Sequence, residues 1–168
     1  VANYYTQGSF VFKLNTVEKA FALSVLDCVK DEEINLKKTH KTVAAKTYDN
    51  AVYRIAKKLA VVCEDYDEYK EFCLNFDAEN DENGLWISDD NSLNGHNAAY
   101  FIYFILKHFN KDDSVVFELA YTCDKLRLDS FGGEAWFITK KQVRYMGTNQ
   151  WAYKQQKRHE SALVAAIK

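Results

Sequence analysis

The sequence predicts an α+β fold: a mostly antiparallel sheet with helices packed on one face, forming a two-layer sandwich. Apolar residues alternate with period two in several short segments, and they recur at three and four in several longer ones. Between these segments, hairpin-type connections alternate with helices, giving the order β-α-α-β-β-α-β-β-(β)-α. At 168 residues, with no proline and six glycines, the chain has no proline- or glycine-rich linker. A single domain over 1–168 is expected, with 149–168 as a C-terminal helical appendage.

The first strand is read from "SFVFKL" (9–14), where Phe10, Phe12 and Leu14 alternate with Ser9, Val11 and Lys13. Asn15 and Glu18 then form N-x-x-E, a capping-box-like helix start. The helix runs to about Val29, with Val17, Ala20, Phe21, Val25 and Cys28 as its expected buried stripe. A basic linker, "KKTHKT", separates it from a second helix over about 48–63. There Val52, Ile55, Ala56, Leu59, Val62 and Cys63 face inward, and Arg54, Lys57 and Lys58 outward.

In "EFCLNFDAEN" the residues Phe72, Leu74, Phe76 and Ala78 alternate with polar ones, which predicts a half-buried strand. "DENG" provides an Asn-Gly turn, tolerant of positive φ, into the returning strand "LWIS" (85–88). The polar loop "DDNSLNGHN" offers several caps for an apolar helix beginning near Ala98. That helix is apolar nearly all round and is expected at the centre, packed on the sheet. "SVVFELAYTC" (114–123) reads as a strand, central in the sheet. Asp129 to Gly133 then reads as the tight end of a connection, with Ala135 to Thr139 as the strand it feeds. "QVRYM" offers one more strand. The last helix, with its apolar end "ALVAAI", is expected to dock on the parent domain, with a second copy of the chain as the alternative.

Hydrophobic residues make up 48% and aromatics 15%, enough for a packed core. The net charge of −2 excludes a global basic field for nucleic acid. Charge is nevertheless segregated. Residues 37–58 carry Lys37, Lys38, Lys41, Lys46, Arg54, Lys57 and Lys58 against Asp49. Residues 64–82 carry Glu64, Asp65, Asp67, Glu68, Glu71, Asp77, Glu79, Asp81 and Glu82 against Lys70. Blocks of this kind form solvated faces or meet partners of opposite sign. The cysteines Cys28, Cys63, Cys73 and Cys123 lack CxxC spacing and a close histidine, so no zinc site is expected. Buried thiols fit a reducing compartment. The opening "VANYYTQGSF" lacks the basic start and long apolar run of a signal peptide. The most apolar run, 97–109, falls short of the about 20 residues a membrane span needs. A soluble, cytoplasmic protein is expected.

The GxSxG, HExxH, GxxxxGK[ST] and GxGxxG signatures are absent. Gly132-Gly133 precedes a strand rather than a helix, and so lacks the helix N-terminus that binds phosphate. Carboxylates give the stronger argument for an enzyme. Asp89 and Asp90 follow a strand, His96 lies in the same loop, Asp124 ends a strand, and Asp129 and Glu134 bracket "SFGG". Acids and a histidine brought together at strand ends can hold a metal or move protons. Separately, the same residue types cap helices and form turns. Trp86 and Trp136 serve as core residues, or as partner anchors if they face outward.

"GLWISDD", "ELAYTCDKLRLDSFGGEAWFIT" and "TNQW" resemble a family of small proteins carried by phages and mobile elements. These share an LWIS-type strand, a later strand ending in a cysteine before Lys and Arg, and a phenylalanine-Gly-Gly turn. The resemblance covers about residues 84–151. It implies a mobile-element origin and transfers no catalytic residue, since that family has no assigned activity. Where its members tend to have a third glycine, this chain has Glu134.

The leading functional expectation is a non-catalytic protein-binding accessory factor of a phage or mobile element, countering a host defence through an acidic surface. Glu64, Asp65, Tyr66, Asp67, Glu68 and Tyr69 are its expected contact residues, and another protein with a basic surface is its expected partner. No cofactor or metal is expected. A small metal-dependent hydrolase using Asp89, Asp90, His96, Asp129 or Glu134 is the second reading. Nucleic-acid binding through the basic helix and Lys154, Lys157 and Arg158 is the third; direct nucleic-acid binding is not favoured. A homodimer through the C-terminal helix is a further possibility.

Overall fold

The computed structural model describes residues 2–31, 48–63, 74–127 and 130–166. In chain order these form β1 (Tyr4–Lys13), α1 (Thr16–Asp31), α2 (Asn50–Val62), β2 (Asp77–Asp81), β3 (Gly84–Asp89), α3 (Gly95–His108), β4 (Ser114–Cys123), β5 (Gly132–Thr139), β6 (Gln142–Gly147) and α4 (Thr148–Ala166). The six strands make one antiparallel sheet in the order β2-β3-β1-β4-β5-β6. The α+β class and the central place of β4 are as the sequence predicts. Among the described residues no helix is long and apolar enough to cross a membrane.

β1 divides its two halves between neighbours. Tyr4–Gln7 pair with β4, and Gly8–Lys13 pair with β3. Where β3 ends, the following loop continues beside β1. The Thr6 amide donates to the Asn91 carbonyl at 2.9 Å, and the Leu93 amide to the Thr6 carbonyl at 2.9 Å.

Strand alternation sorts the sheet into two faces. Phe10, Phe12, Leu85, Ile87, Phe117, Leu119, Trp136 and Ile138 point toward α1, α2 and α3 and join the core. Phe12 meets Phe101 of α3 edge to face at 6.4 Å, and Phe10 stacks on Phe117 at 4.3 Å. The opposite face bears Val11, Trp86, Val116, Phe137 and Met146, all exposed.

The Asn15–Glu18 capping box forms as expected. Asn15 Oδ1 accepts from the amides of Val17 and Glu18, and Glu18 Oε2 accepts from the Asn15 amide, all at 3.0 Å. Glu18 is itself buried and takes an ion pair from Lys111 at 2.9 Å. This burial rotates the α1 stripe from the expected one. Ala22, Val25, Leu26, Cys28 and Val29 are buried, whereas Val17 and Ala20 are exposed. The inner face of α2 is Val52, Ile55, Ala56, Leu59 and Ala60, with Cys63 just beyond it. Arg54, Lys57 and Lys58 point outward as predicted.

Several expectations are corrected. Leu74 and Phe76 are buried but precede β2, because Asn75 adopts φ 52 and breaks the extended run. In the β2–β3 hairpin the turn residues are Glu82 and Asn83, and Asn83 does not carry the positive φ. Gly84 is needed for space instead, since a Cβ there would be driven into the Phe12 carbonyl oxygen. Asn94 caps α3, its side chain accepting from the Asn97 amide at 3.1 Å, so the helix starts at Gly95 rather than near Ala98. Gly132 and Gly133 lie within β5, paired with Tyr121 and Ala120, rather than in the turn before it. A Cβ on Gly133 would come within 2.6 Å of the Leu119 carbonyl oxygen, so close backbone approach explains that glycine. The main neighbours of α4 are β5 and β6, and Trp151 and Tyr153 on it are exposed. The side chains of its apolar end, 163–168, lie outside the described residues, and so does the expectation that this end docks on the domain or on a second copy. The basic linker and the acidic stretch 64–73 lie outside the described residues.

Candidate functional site

Two clefts flank the point where the loop 90–94 leaves β3. The first opens on the helix-free face of the sheet, with a volume of about 710 Å³. Trp86 stands in it, 41% exposed, its indole Nε1 donating to Ser9 Oγ at 2.8 Å. Ser88, Gln7, Asp77 and Asp90 line the rest. Register explains this grouping: Trp86 is paired with Val11 on one side and Glu79 on the other, and Ser88 with Asp77. Asp77, Glu79 and Asp81 alternate along edge strand β2 and share the face of Trp86. Across the sheet, Val116 of β4 pairs with Phe137 of β5, extending an apolar strip over the same face.

The second cleft lies on the helix side, at the N-terminus of α3, with a volume of about 570 Å³. Glu134 is its charged centre. Glu134 Oε2 accepts from the Tyr121 hydroxyl at 2.5 Å, and Oε1 from Trp136 Nε1 at 2.7 Å. Leu119 is directly opposite Glu134, which makes Tyr121 its diagonal neighbour. Gly132 is opposite Tyr121, and a Cβ there would meet the phenol ring only at ordinary contact distance, 3.6 Å from its Cδ2. At Gly95 the absence of a side chain matters. A Cβ there would collide with Glu134 Oε1 and the Trp136 indole nitrogen, so the glycine lets the carboxylate lie against the first turn of α3. That place is the N-terminal, positive end of the helix dipole. Burial, and then the Glu134 carboxylate and its hydrogen bond, push the Tyr121 phenol well above its ordinary range. Tyr121 is therefore a neutral donor at physiological pH.

Among the described residues the sequence-predicted acids divide between the two clefts, Asp89 and Asp90 lining the first and Glu134 the second. Asp89 Oδ1 accepts from the amides of Asn91 at 2.7 Å and Ser92 at 2.9 Å, so it holds its own loop. Asp90 lines the helix-free cleft. Both Asp124 oxygens accept from Asn3, through the backbone amide and the side-chain amide, at 3.0 Å each. His96 and Glu134 do line one cleft, where the His96 ring packs on Tyr100 at 4.6 Å. Asp129 and the contact residues Glu64–Tyr69 lie outside the described residues. Among the described residues no group of three or more His, Cys, Asp or Glu could hold a metal ion.

The two tryptophans part company: Trp136 is buried and Trp86 faces outward. Sequence reasoning missed Tyr4, Tyr121, Tyr145 and Gly95 around Glu134, which come from four different elements with no short-range pattern linking them. The acidic alternation in "DAEND" was a usable signal, since period two on a strand puts Asp77, Glu79 and Asp81 on one face.

Comparisons with family models, with curated proteins and with solved structures find no match for this chain.

Proposed function

We propose that this chain is a non-catalytic protein-binding factor whose partner presents a basic surface to the helix-free face of the sheet. The observation that carries this reading is the position of Trp86, exposed in the sheet and bordered by the acidic row Asp77, Glu79 and Asp81. An indole beside a field of one sign is the composition of an interface anchor with electrostatic steering. Val116, 62% exposed, and Met146, 50% exposed, continue the apolar strip away from the acidic rim. The acidic row belongs to the same charged block, 64–82, that the sequence sets apart. An accessory role in a mobile element, implied by the resemblance over 84–151, suits a protein that acts by occupying another protein's surface. The separate hydrogen-bonding duties of Asp89 and Asp124 weigh against a convergent hydrolytic site.

Affinity capture from a lysate of the source cells, read by mass spectrometry, tests the reading. The wild-type chain should retain a basic protein that Trp86→Ala and the pair Asp77→Lys/Glu79→Lys both release. Lys57→Glu, on the outer face of α2 and so on the other side of the sheet, should retain it. Equal retention by all four proteins sinks the proposal, provided circular dichroism shows each variant folded.

A further inference from the structure

The second cleft has a chemistry that protein docking on the helix-free face leaves unused. Glu134 is half-buried, and no Lys or Arg among the described residues forms an ion pair with it. Its two hydrogen bonds come from neutral donors, Tyr121 and Trp136. An ionised carboxylate has about four lone-pair positions, and these two bonds occupy two of them. The carboxylate lies against the first turn of α3, and among the described residues no side-chain cation pairs with it.

Around this charge the cleft is walled by aromatic rings. Tyr121, Tyr145 and Tyr4 line it, with the His96 ring at its helix end. Trp136 contributes its N–H edge rather than its face, because Tyr145 stacks on one side of the indole at 5.0 Å and Phe117 on the other at 6.0 Å. Tyr4 is 60% exposed and Tyr145 56% exposed, so both phenol rings are accessible to a ligand. Aromatic faces carry negative quadrupole density and attract cations, most strongly those that are weakly hydrated. The volume of about 570 Å³ suits a small organic molecule.

We infer that this cleft binds a small methylated ammonium cation, seated against the Glu134 carboxylate and walled by Tyr4, Tyr121 and Tyr145. A quaternary ammonium group has no N–H to satisfy, so the two donors already occupying Glu134 do not compete with it. A primary ammonium group gains less, because it sheds a stronger hydration shell for a carboxylate that is already partly engaged.

Titration of the full chain with choline, followed by two-dimensional NMR and calorimetry, tests the inference. Choline should bind saturably, with shifts concentrated at Gly95, His96, Tyr121 and Glu134. Its uncharged isostere 3,3-dimethylbutanol should bind at least about tenfold more weakly, as should ethanolamine. Glu134→Gln should lower choline affinity by about tenfold or more. Since that variant alters two hydrogen bonds, the exposed Tyr4→Ala and Tyr145→Ala provide a second arm, each weakening binding severalfold without unfolding. A trimethyllysine peptide in the same assay tells a free metabolite from a modified side chain, tighter peptide binding assigning the ligand to the latter. No saturable binding of either cation overturns the inference, and so does equal binding of the isostere or unchanged affinity in all three variants. Trp86→Ala should leave choline binding intact, so failure here and failure of the docking proposal are distinguishable.

Discussion

The Tyr121 hydroxyl and the Glu134 carboxylate, diagonal neighbours on β4 and β5, share a hydrogen bond of 2.5 Å on the helix side of the sheet. A bond to a charged acceptor is stronger than a neutral one, and here it fixes both the carboxylate and the phenol. Glu134 in turn lies against Gly95 and Trp136, so one side chain ties β4, β5 and α3 together.

Removing the donor should be felt in stability. Tyr121→Phe leaves the ring and takes away the hydroxyl, so it should destabilise the fold by about 1–2 kcal/mol in urea denaturation at pH 7. An unchanged midpoint would mean that water replaces the phenol at no loss.

The same pair predicts an alkaline dependence. The Tyr121 phenol is held above its ordinary value of 10.0, first by burial and then by Glu134. The unfolded chain therefore releases this proton at a lower pH than the folded one does. Stability from this source is fully present below about pH 10 and declines as pH rises beyond it. Tyr121→Phe should accordingly lose less stability than wild type between pH 9 and 11. Parallel pH profiles for the two proteins would refute the linkage.

Gly95→Ala sets two effects against each other. Alanine is the better helix former by about 1 kcal/mol in a helix interior, and by less at the first position. Its methyl would collide with Glu134 Oε1 and the Trp136 indole nitrogen, and overpacking typically costs about 1–3 kcal/mol. The clash should win, lowering the thermal midpoint. A raised midpoint would show that the carboxylate can move aside freely.

Glu18→Ala removes a buried carboxylate that accepts from the Asn15 amide and pairs with Lys111. Lys111 keeps Asp113 at 3.2 Å and some exposure to water, which limits the damage. A loss of about 2–3 kcal/mol is expected from the cap and the ion pair together. Glu18→Gln should keep the cap but not the ion pair, giving an intermediate denaturation midpoint.

Residue pattern alone determined a good deal. Alternation placed β3, β4 and the inner face of β5, and the spacing of Val52, Ile55, Ala56 and Leu59 placed α2. These features depend on neighbours within one turn or one strand, which the linear order preserves. Asn15 and Glu18 are equally local, and their capping box formed as read.

What the sequence left open depended on pairing across the chain. Glu18 is buried because Lys111, far along the chain, reaches it, and no pattern within α1 could show that. Gly132 and Gly133 looked like a turn and became strand by pairing with Tyr121 and Ala120, and at Gly133 the Leu119 carbonyl leaves no space for a side chain. Outward Trp86 and inward Trp136 differ only in strand register. Sequence alone supplied the carboxylates and aromatics, and tertiary structure decided which of them meet. Register and the close approach of α3 to β5 set Glu134, Tyr121 and Trp136 within hydrogen-bonding reach, while Asp89 and Asp124 were drawn to amides of their own surroundings.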